Sequence, residues 1–287
     1  MRRDHNESHT LSVRATGIYS QTKNVLRHLN RFRPYDAYNI PVTARDPGPD
    51  GRVGTADDGG MLTYWEYAPS LTGLRFEEYT SVNDPRANQS FKTIEIAGVK
   101  RLANRWQLLA SFSATKKNIP IGARNSASAL GFGTSSPTFS AAGEHVGFLT
   151  PNDEIFSADK TWDWDGKVIG TYILPAEVAV SANYHHTSGD PFARTVRVRG
   201  GRTIPAFVVN VEPIGTHRRP NLNLVQFRVE KRFQLPGAHV ATVTFDLYNA
   251  LNANTATGLQ NRSGPDFLRP RSIMPPRLAE FGLSYRF

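Results

Sequence analysis

The sequence predicts an all-β chain: an antiparallel, up-and-down membrane β-barrel of about eight strands, each about ten residues long and able to cross a bilayer when tilted. Three observations carry that reading. Apolar residues recur with period two rather than 3.6 in one segment after another. The connections between these segments alternate between short and long. Aromatic side chains (Trp106, Trp162, Trp164, Tyr184, Tyr248, Tyr285) stand near segment ends, where an interfacial girdle places them. The pattern leaves two architectures open. The strands form a partial wall of a larger barrel, or they close as a small barrel whose interior side chains fill it.

In chain order, the first candidate strand sets Leu11, Val13, Ala15 and Tyr19 against Ser12, Arg14 and Thr16. The second sets Ile94 and Ile96 against Thr93, Glu95 and Ala97. Trp106, Leu108, Ala110 and Phe112 then alternate with Gln107, Leu109 and Ser111. Trp162, Trp164, Val168 and Tyr172 face away from Asp163, Asp165, Lys167 and Thr171. Val178, Val180, Ala182 and Tyr184 interleave with Ala179, Ser181, Asn183 and His185. Val225, Phe227 and Val229 interleave with Gln226, Arg228 and Glu230, and Ala241, Val243, Phe245 and Leu247 with Val240, Thr242, Thr244 and Asp246. In the last segment Phe281, Leu283, Tyr285 and Phe287 share one side, and Glu280, Gly282, Ser284 and Arg286 the other. Successive strand side chains point to opposite sides, so each segment has one oily and one polar face.

Short connections fall near residues 103–105, 175–176 and 235–238, and long ones near 21–89, 116–159, 188–221 and 252–277. Long loops are uncommon in compact soluble domains. A membrane barrel has them on its outer side and tight turns on the other. A soluble β-sandwich binding module also alternates in polarity, but nothing makes its connections alternate in length.

Composition narrows the function classes. The 287 residues are 39% hydrophobic and contain no run of 18 apolar residues, so no transmembrane helix is expected. Cysteine is absent, which removes disulfides, thiolate metal sites and cysteine nucleophiles. The formal charge is +9, yet the basic residues are scattered rather than gathered on one helix or tract, so no nucleic-acid partner is expected. The start, MRRDHNESHTLSV, has a basic head without an apolar stretch, and no secretory signal peptide is read there.

Several segments resemble a known family. Lys100-Arg-Leu-Ala-Asn-Arg-Trp-Gln-Leu-Leu-Ala-Ser-Phe112 is similar to a hairpin of TonB-dependent receptors, particularly the Oar-like group with a carboxypeptidase-regulatory-like N-terminal domain. Ser188-Gly-Asp-Pro-Phe192, Val229-Glu-Lys-Arg-Phe233, Phe245-Asp-Leu-Tyr-Asn-Ala-Leu-Asn252 and the stretch from Pro276 to Phe287 resemble that family's final strands, in the same order. The resemblance implies that residues 1–287 are the C-terminal barrel segment of an outer-membrane receptor for ligand uptake. It implies outer-membrane lipid and the barrel-assembly machinery as partners, with Phe281, Leu283, Tyr285 and Phe287 as the assembly signal. It also implies the TonB energy-transducing complex, whose contact region is not matched here. The family's plug domain and TonB box, and the remainder of its about 22 strands, find no counterpart in these residues, so the segment alone is not expected to transport. A small structural or adhesive barrel is the alternative.

Three places carry candidate chemistry. Asp46, Asp50 and Asp57 occupy the first, fifth and twelfth positions of an EF-hand-like loop, with Gly51 at the sharp turn and Val53 at the apolar position. They are the candidate calcium ligands, although Gly48 replaces the usual third ligand and no helix-forming sequence flanks the loop. A Gly/Pro/Asp turn cluster explains the same residues without a metal. Arg194, Arg197, Arg199, Arg202, Arg218 and Arg219 make a basic loop able to hold an anionic ligand or lipopolysaccharide phosphates. His185 and His186 are adjacent in a strand and therefore point apart, so they are not expected to chelate one ion. No G-x-S-x-G, H-E-x-x-H or G-x-x-x-x-G-K pattern is present, and the Gly131-Phe-Gly133 stretch lacks a third glycine, so no enzyme is expected.

Overall fold

The computed structural model describes residues 11–121 and 149–287. Its centre is one antiparallel sheet of eight strands: β1 (Leu11–Thr22), β2 (Gln89–Ala103), β3 (Trp106–Asn118), β4 (Trp162–Leu174), β5 (Val178–Thr187), β6 (Leu222–Gln234), β7 (Val240–Tyr248) and β8 (Leu278–Arg286). Each strand pairs with its neighbours in sequence order, which is an up-and-down meander. The sheet is not closed: β1 and β8 both have a free edge, so the small closed barrel is not the arrangement found. Only short 3-10 turns accompany the strands, and among the described residues no helix is long and apolar enough to cross a membrane.

Register explains the two faces. Trp106, Tyr172, Val180, Val229, Phe245 and Phe281 stand directly opposite one another across six strands. One residue along, Gln107, Thr171, Ser181, Arg228, Asp246 and Glu280 form the neighbouring row. Opposed residues share a face and neighbours along a strand do not, so one face of the sheet is oily and the other polar. The polar rows bond across strands: Thr93 with Thr115 at 2.8 Å, Thr171 with Ser181 at 2.9 Å, and Asp165 with both His185 at 2.7 Å and Thr187 at 2.8 Å. Among the described residues no second layer packs on the oily face, where Val13 is 71% and Phe281 78% exposed. A sandwich would bury these residues under a second sheet.

The tight turns use left-handed backbone. Asn104 (φ 54°) and Arg105 (φ 68°) link β2 to β3, as in the two-residue hairpin turns that match strand twist. Ala176 and Glu177 (φ 59° and 57°) link β4 to β5, and Gly237 and Ala238 (φ 79° and 65°) link β6 to β7. All three turns lie at one end of the sheet, and the described residues of the four long connections (23–88, 119–121 with 149–161, 188–221 and 249–277) lie at the other.

Those connections are more structured than their sequence suggested. The first carries two strand pairs, Leu26–Asn30 with Tyr79–Asn83 and Ile40–Arg45 with Met61–Glu66. The third carries Thr195–Val198 with Phe207–Asn210 and a two-residue pair, Pro191–Phe192 with His217–Arg218. The last carries Ala256–Leu259 with Pro270–Ile273. The buried hydrophobic core is here rather than on the sheet. Leu62, Tyr64 and Tyr67 of the first connection pack with Val196, Val198, Ile204 and Val209 of the third. The long connections thus fold together into a cap at one end of the sheet.

Candidate functional site

The cap is the part of the molecule whose polar residues are drawn together from distant sequence. Its main brace joins two places that the sequence singled out separately. Arg194 donates to Asp46 at 2.7 and 2.5 Å in a two-pronged ion pair, and both side chains are 8% exposed. Arg194 also donates to Ser263 at 2.8 Å, which ties in the last connection. The hydrogen bond to Asp46 holds the guanidinium pKa above its usual value, and the carboxylates of Glu212 and Asp57 add to this.

The candidate calcium loop is therefore organised around a guanidinium. Asp46 also accepts from the Gly48 amide at 3.1 Å, and Asp50 from the Arg52 amide at 2.7 Å. Asp57 accepts from the Thr55 hydroxyl at 2.6 Å and the Asp50 amide at 3.1 Å, which hold its carboxyl below the usual range. Asp58 accepts from Gly54 at 2.8 Å and pairs with Arg45 at 3.1 Å. Among the described residues, no three His, Cys, Asp or Glu side chains converge closely enough to hold a metal ion. Gly48 and Gly51 have φ of 66° and 74°, and a Cβ on Gly48 would lie 2.3 Å from the Asp57 carbonyl oxygen. Only glycine fits there.

The six arginines of the candidate anion loop divide into two sets. Arg194, Arg218 and Arg219 are held internally. Arg218 stacks 5.0 Å from the Trp164 ring and reaches Asp163 at 3.4 Å, while Arg219 pairs with Asp190 at 3.0 Å. Arg197, Arg199 and Arg202 are exposed. Arg197 and Arg199 are two apart, on the outward side of the hairpin whose Val196 and Val198 enter the core. The two histidines diverge as expected: His185 bonds to Asp165 on the polar face, and His186 accepts from Trp164 Nε1 at 3.0 Å on the oily one. Phe281, Leu283, Tyr285 and Phe287 lie together on the oily side of the free edge strand, Phe287 just past its end and 93% exposed. The Gly131–Gly133 stretch lies outside the described residues.

Two further networks were not foreseen from sequence. Arg27 is buried between Asp84 at 3.1 Å and Glu154 at 3.0 Å, and so links the first two long connections. Burial pushes the Asp84 carboxyl up, but hydrogen bonds from Arg86 and Arg27 outweigh this and leave its pKa below the usual value. Beside this network is a cavity of about 30 Å3 lined by Asn30, Arg33, Tyr38, Tyr67, Tyr79 and Asn152, among others. Arg33 donates to the Tyr67 hydroxyl at 2.6 Å and to Glu77 at 3.1 Å, and its guanidinium lies 4.7 Å from the Tyr67 ring centroid. Burial raises the pKa of Tyr38 and of Tyr79. A volume of that size is enough to hold water. The signal was present in the sequence as a cluster: Tyr35, Tyr38, Tyr64, Tyr67 and Tyr79 are half of the chain's 10 tyrosines.

No protein-family model matches the chain, and no curated protein matches it either.

Proposed function

We propose that the chain is the C-terminal wall segment of an outer-membrane TonB-dependent receptor for ligand uptake, with its oily face against lipid and its cap at the cell exterior. One observation carries this reading: an uncovered oily face and a bonded polar face run in register across the sheet, with all long connections at one end. That is the plan of a membrane barrel, where lipid takes the place of a second packing layer.

Dimensions support the same reading. On the oily side of β2, Lys92 and Lys100 flank Ile94, Ile96 and Gly98. Eight residues at about 3.4 Å each, tilted by about 40°, span roughly 20 Å of bilayer. Lysine stems can snorkel from both limits toward water. At the tight-turn end Lys100 lies 3.9 Å from the Trp106 ring and Lys231 lies 5.5 Å from the Phe233 ring, in the manner of an interfacial belt.

The free edges of β1 and β8 expose unpaired backbone groups, which lipid does not tolerate. In this reading further strands of a complete barrel cover them, and the assembly machinery reads β8 through Phe281, Leu283, Tyr285 and Phe287. Ligand selection falls to the cap, with the exposed Arg197, Arg199 and Arg202 available to anionic groups. The TonB complex acts through parts of the receptor that these residues do not resemble.

Refolding the chain with and without detergent and following protection of its strands from protease tests the reading. A wall segment whose oily face meets lipid requires detergent or lipid for solubility and protects its strands only there. A chain that is soluble without detergent and protects its strands in water is a soluble β protein, and the proposal fails.

A further inference from the structure

One cross-strand row on the oily face departs from the apolar pattern. Tyr19, Lys92, Lys116 and Trp162 stand directly opposite one another on β1 to β4, near the cap. The next row toward the middle of the sheet is Gly17, Ile94, Ala114 and Trp164. The next row toward the cap is Gln21, Ser90 and Asn118, in which Asn118 donates to Ser90 at 3.3 Å. Polarity therefore rises from apolar through cationic to neutral polar over three rows, which is the profile of a headgroup boundary.

The two lysines are the anomaly. Like charges directly opposite on a sheet repel, and neither Lys92 nor Lys116 has a carboxylate partner among the described residues. Lys116 is 5.7 Å from the Trp162 ring and donates to the Lys160 carbonyl. Carboxylates do occur at this level, but on the other face. The adjacent Lys117 is buried between Asp159 at 2.9 Å and Asp163 at 2.8 Å. The remaining oily-face lysines are built differently. Lys100 stands alone between Leu11 and Leu108 and donates to the Ala103 and Trp106 carbonyls, each at 3.0 Å. Lys231 likewise faces Val178 and Val243.

We propose that Lys92 and Lys116 bind the headgroup phosphate of an anionic outer-leaflet lipid, a phosphorylated glycolipid, with Tyr19 and Trp162 framing the site at headgroup depth. The inference rests on the reading that this face meets lipid. A phosphate between the two ammonium groups neutralises a pair that otherwise repels, and charge complementarity is satisfied from the lipid side alone.

The test uses the full chain, refolded and reconstituted into phosphatidylcholine vesicles containing either bisphosphorylated lipid A or its dephosphorylated counterpart. Native mass spectrometry after detergent extraction reads the lipid retained. The wild type is expected to retain the phosphorylated lipid preferentially. The double variant Lys92→Gln/Lys116→Gln is expected to lose about thirtyfold of that preference, roughly fivefold for each cation. Lys100→Gln, at the other rim, is expected to leave it unchanged. A wild type that inserts into both vesicles and retains both lipids equally overturns the headgroup site while leaving the membrane reading intact. A double variant that keeps the preference overturns it as well. A chain that enters neither vesicle overturns the membrane reading, and this proposal with it.

Discussion

In the cap, Leu62 is 7%, Tyr64 4% and Val209 4% exposed, whereas on the sheet Val13 is 71% and Leu283 77% exposed. The same kinds of side chain are thus handled in opposite ways within one molecule. The cap buries them against each other, as a water-soluble domain does, and locks them with buried ion pairs. The sheet leaves them outward and bonds its polar residues to one another instead. A region that packs its own apolar groups carries its own stabilisation, whereas one that exposes them needs a solvent that accepts them. On the proposed reading the cap is made for water and the sheet for lipid.

The largest expected effect breaks the cap alone. Arg194→Ala leaves Asp46 buried without its cation, which costs about 3–5 kcal/mol of cap stability. Limited proteolysis in detergent should then cut the first and third long connections much faster, while the sheet strands stay protected. Loss of both together would show that cap and sheet are one cooperative unit.

Next is a matched pair on the sheet. Val229→Arg places a charge mid-face on the oily side and should lower folding stability in lipid vesicles by about 2–4 kcal/mol. Thr244→Arg, on the polar face one strand away and opposite Glu230, should change it by less than about 0.5 kcal/mol. Equal effects from the two, measured by denaturant titration in vesicles, would erase the distinction between the faces.

Acid should separate the regions more gently. Asp84 has a folded pKa below its ordinary value of 3.8, so its contribution is complete above that value and is lost as pH falls through the folded one. Hydrogen exchange in the strand pair Leu26–Asn30 and Tyr79–Asn83 should therefore accelerate as pH falls below about 4, corrected for the intrinsic rate. Asp84→Asn should cost about 1.5–3 kcal/mol at neutral pH and flatten this dependence. A small loss is expected from Thr115→Val, which removes the bond to Thr93 on the polar face and costs about 1 kcal/mol in the vesicle titration.

How legible each region was in the sequence follows from the same contrast. The sheet strands were readable because one environment lies on each side, so polarity alternates along much of each strand. Their ends were not, since β2 and β6 run beyond their alternating stretches on register with neighbours. The cap hairpins were hidden for local reasons. Pro41 weakens Ile40–Arg45 as a strand, and in Met61–Glu66 the alternating inward set of Leu62 and Tyr64 ends in a buried Glu66. Glu66 accepts from the Thr203 amide at 3.3 Å, a partner in another connection. The Asp46–Arg194 pair joins residues 148 positions apart. Charge and spacing mark each residue separately in the sequence, and only the fold brings the two charges together. The Lys92–Lys116 row was likewise invisible until register placed the two side by side.

The central claim is that the oily face meets lipid and the polar face does not. Because the chain has no cysteine, single cysteines can be introduced one at a time. Val180→Cys and Ser181→Cys are neighbours on β5, in adjacent apolar and polar rows. Each is labelled with an environment-sensitive fluorophore and reconstituted into vesicles containing spin-labelled lipid. The account predicts strong quenching at position 180 and little at 181. Equal quenching at the two positions, or the reverse order, would contradict it.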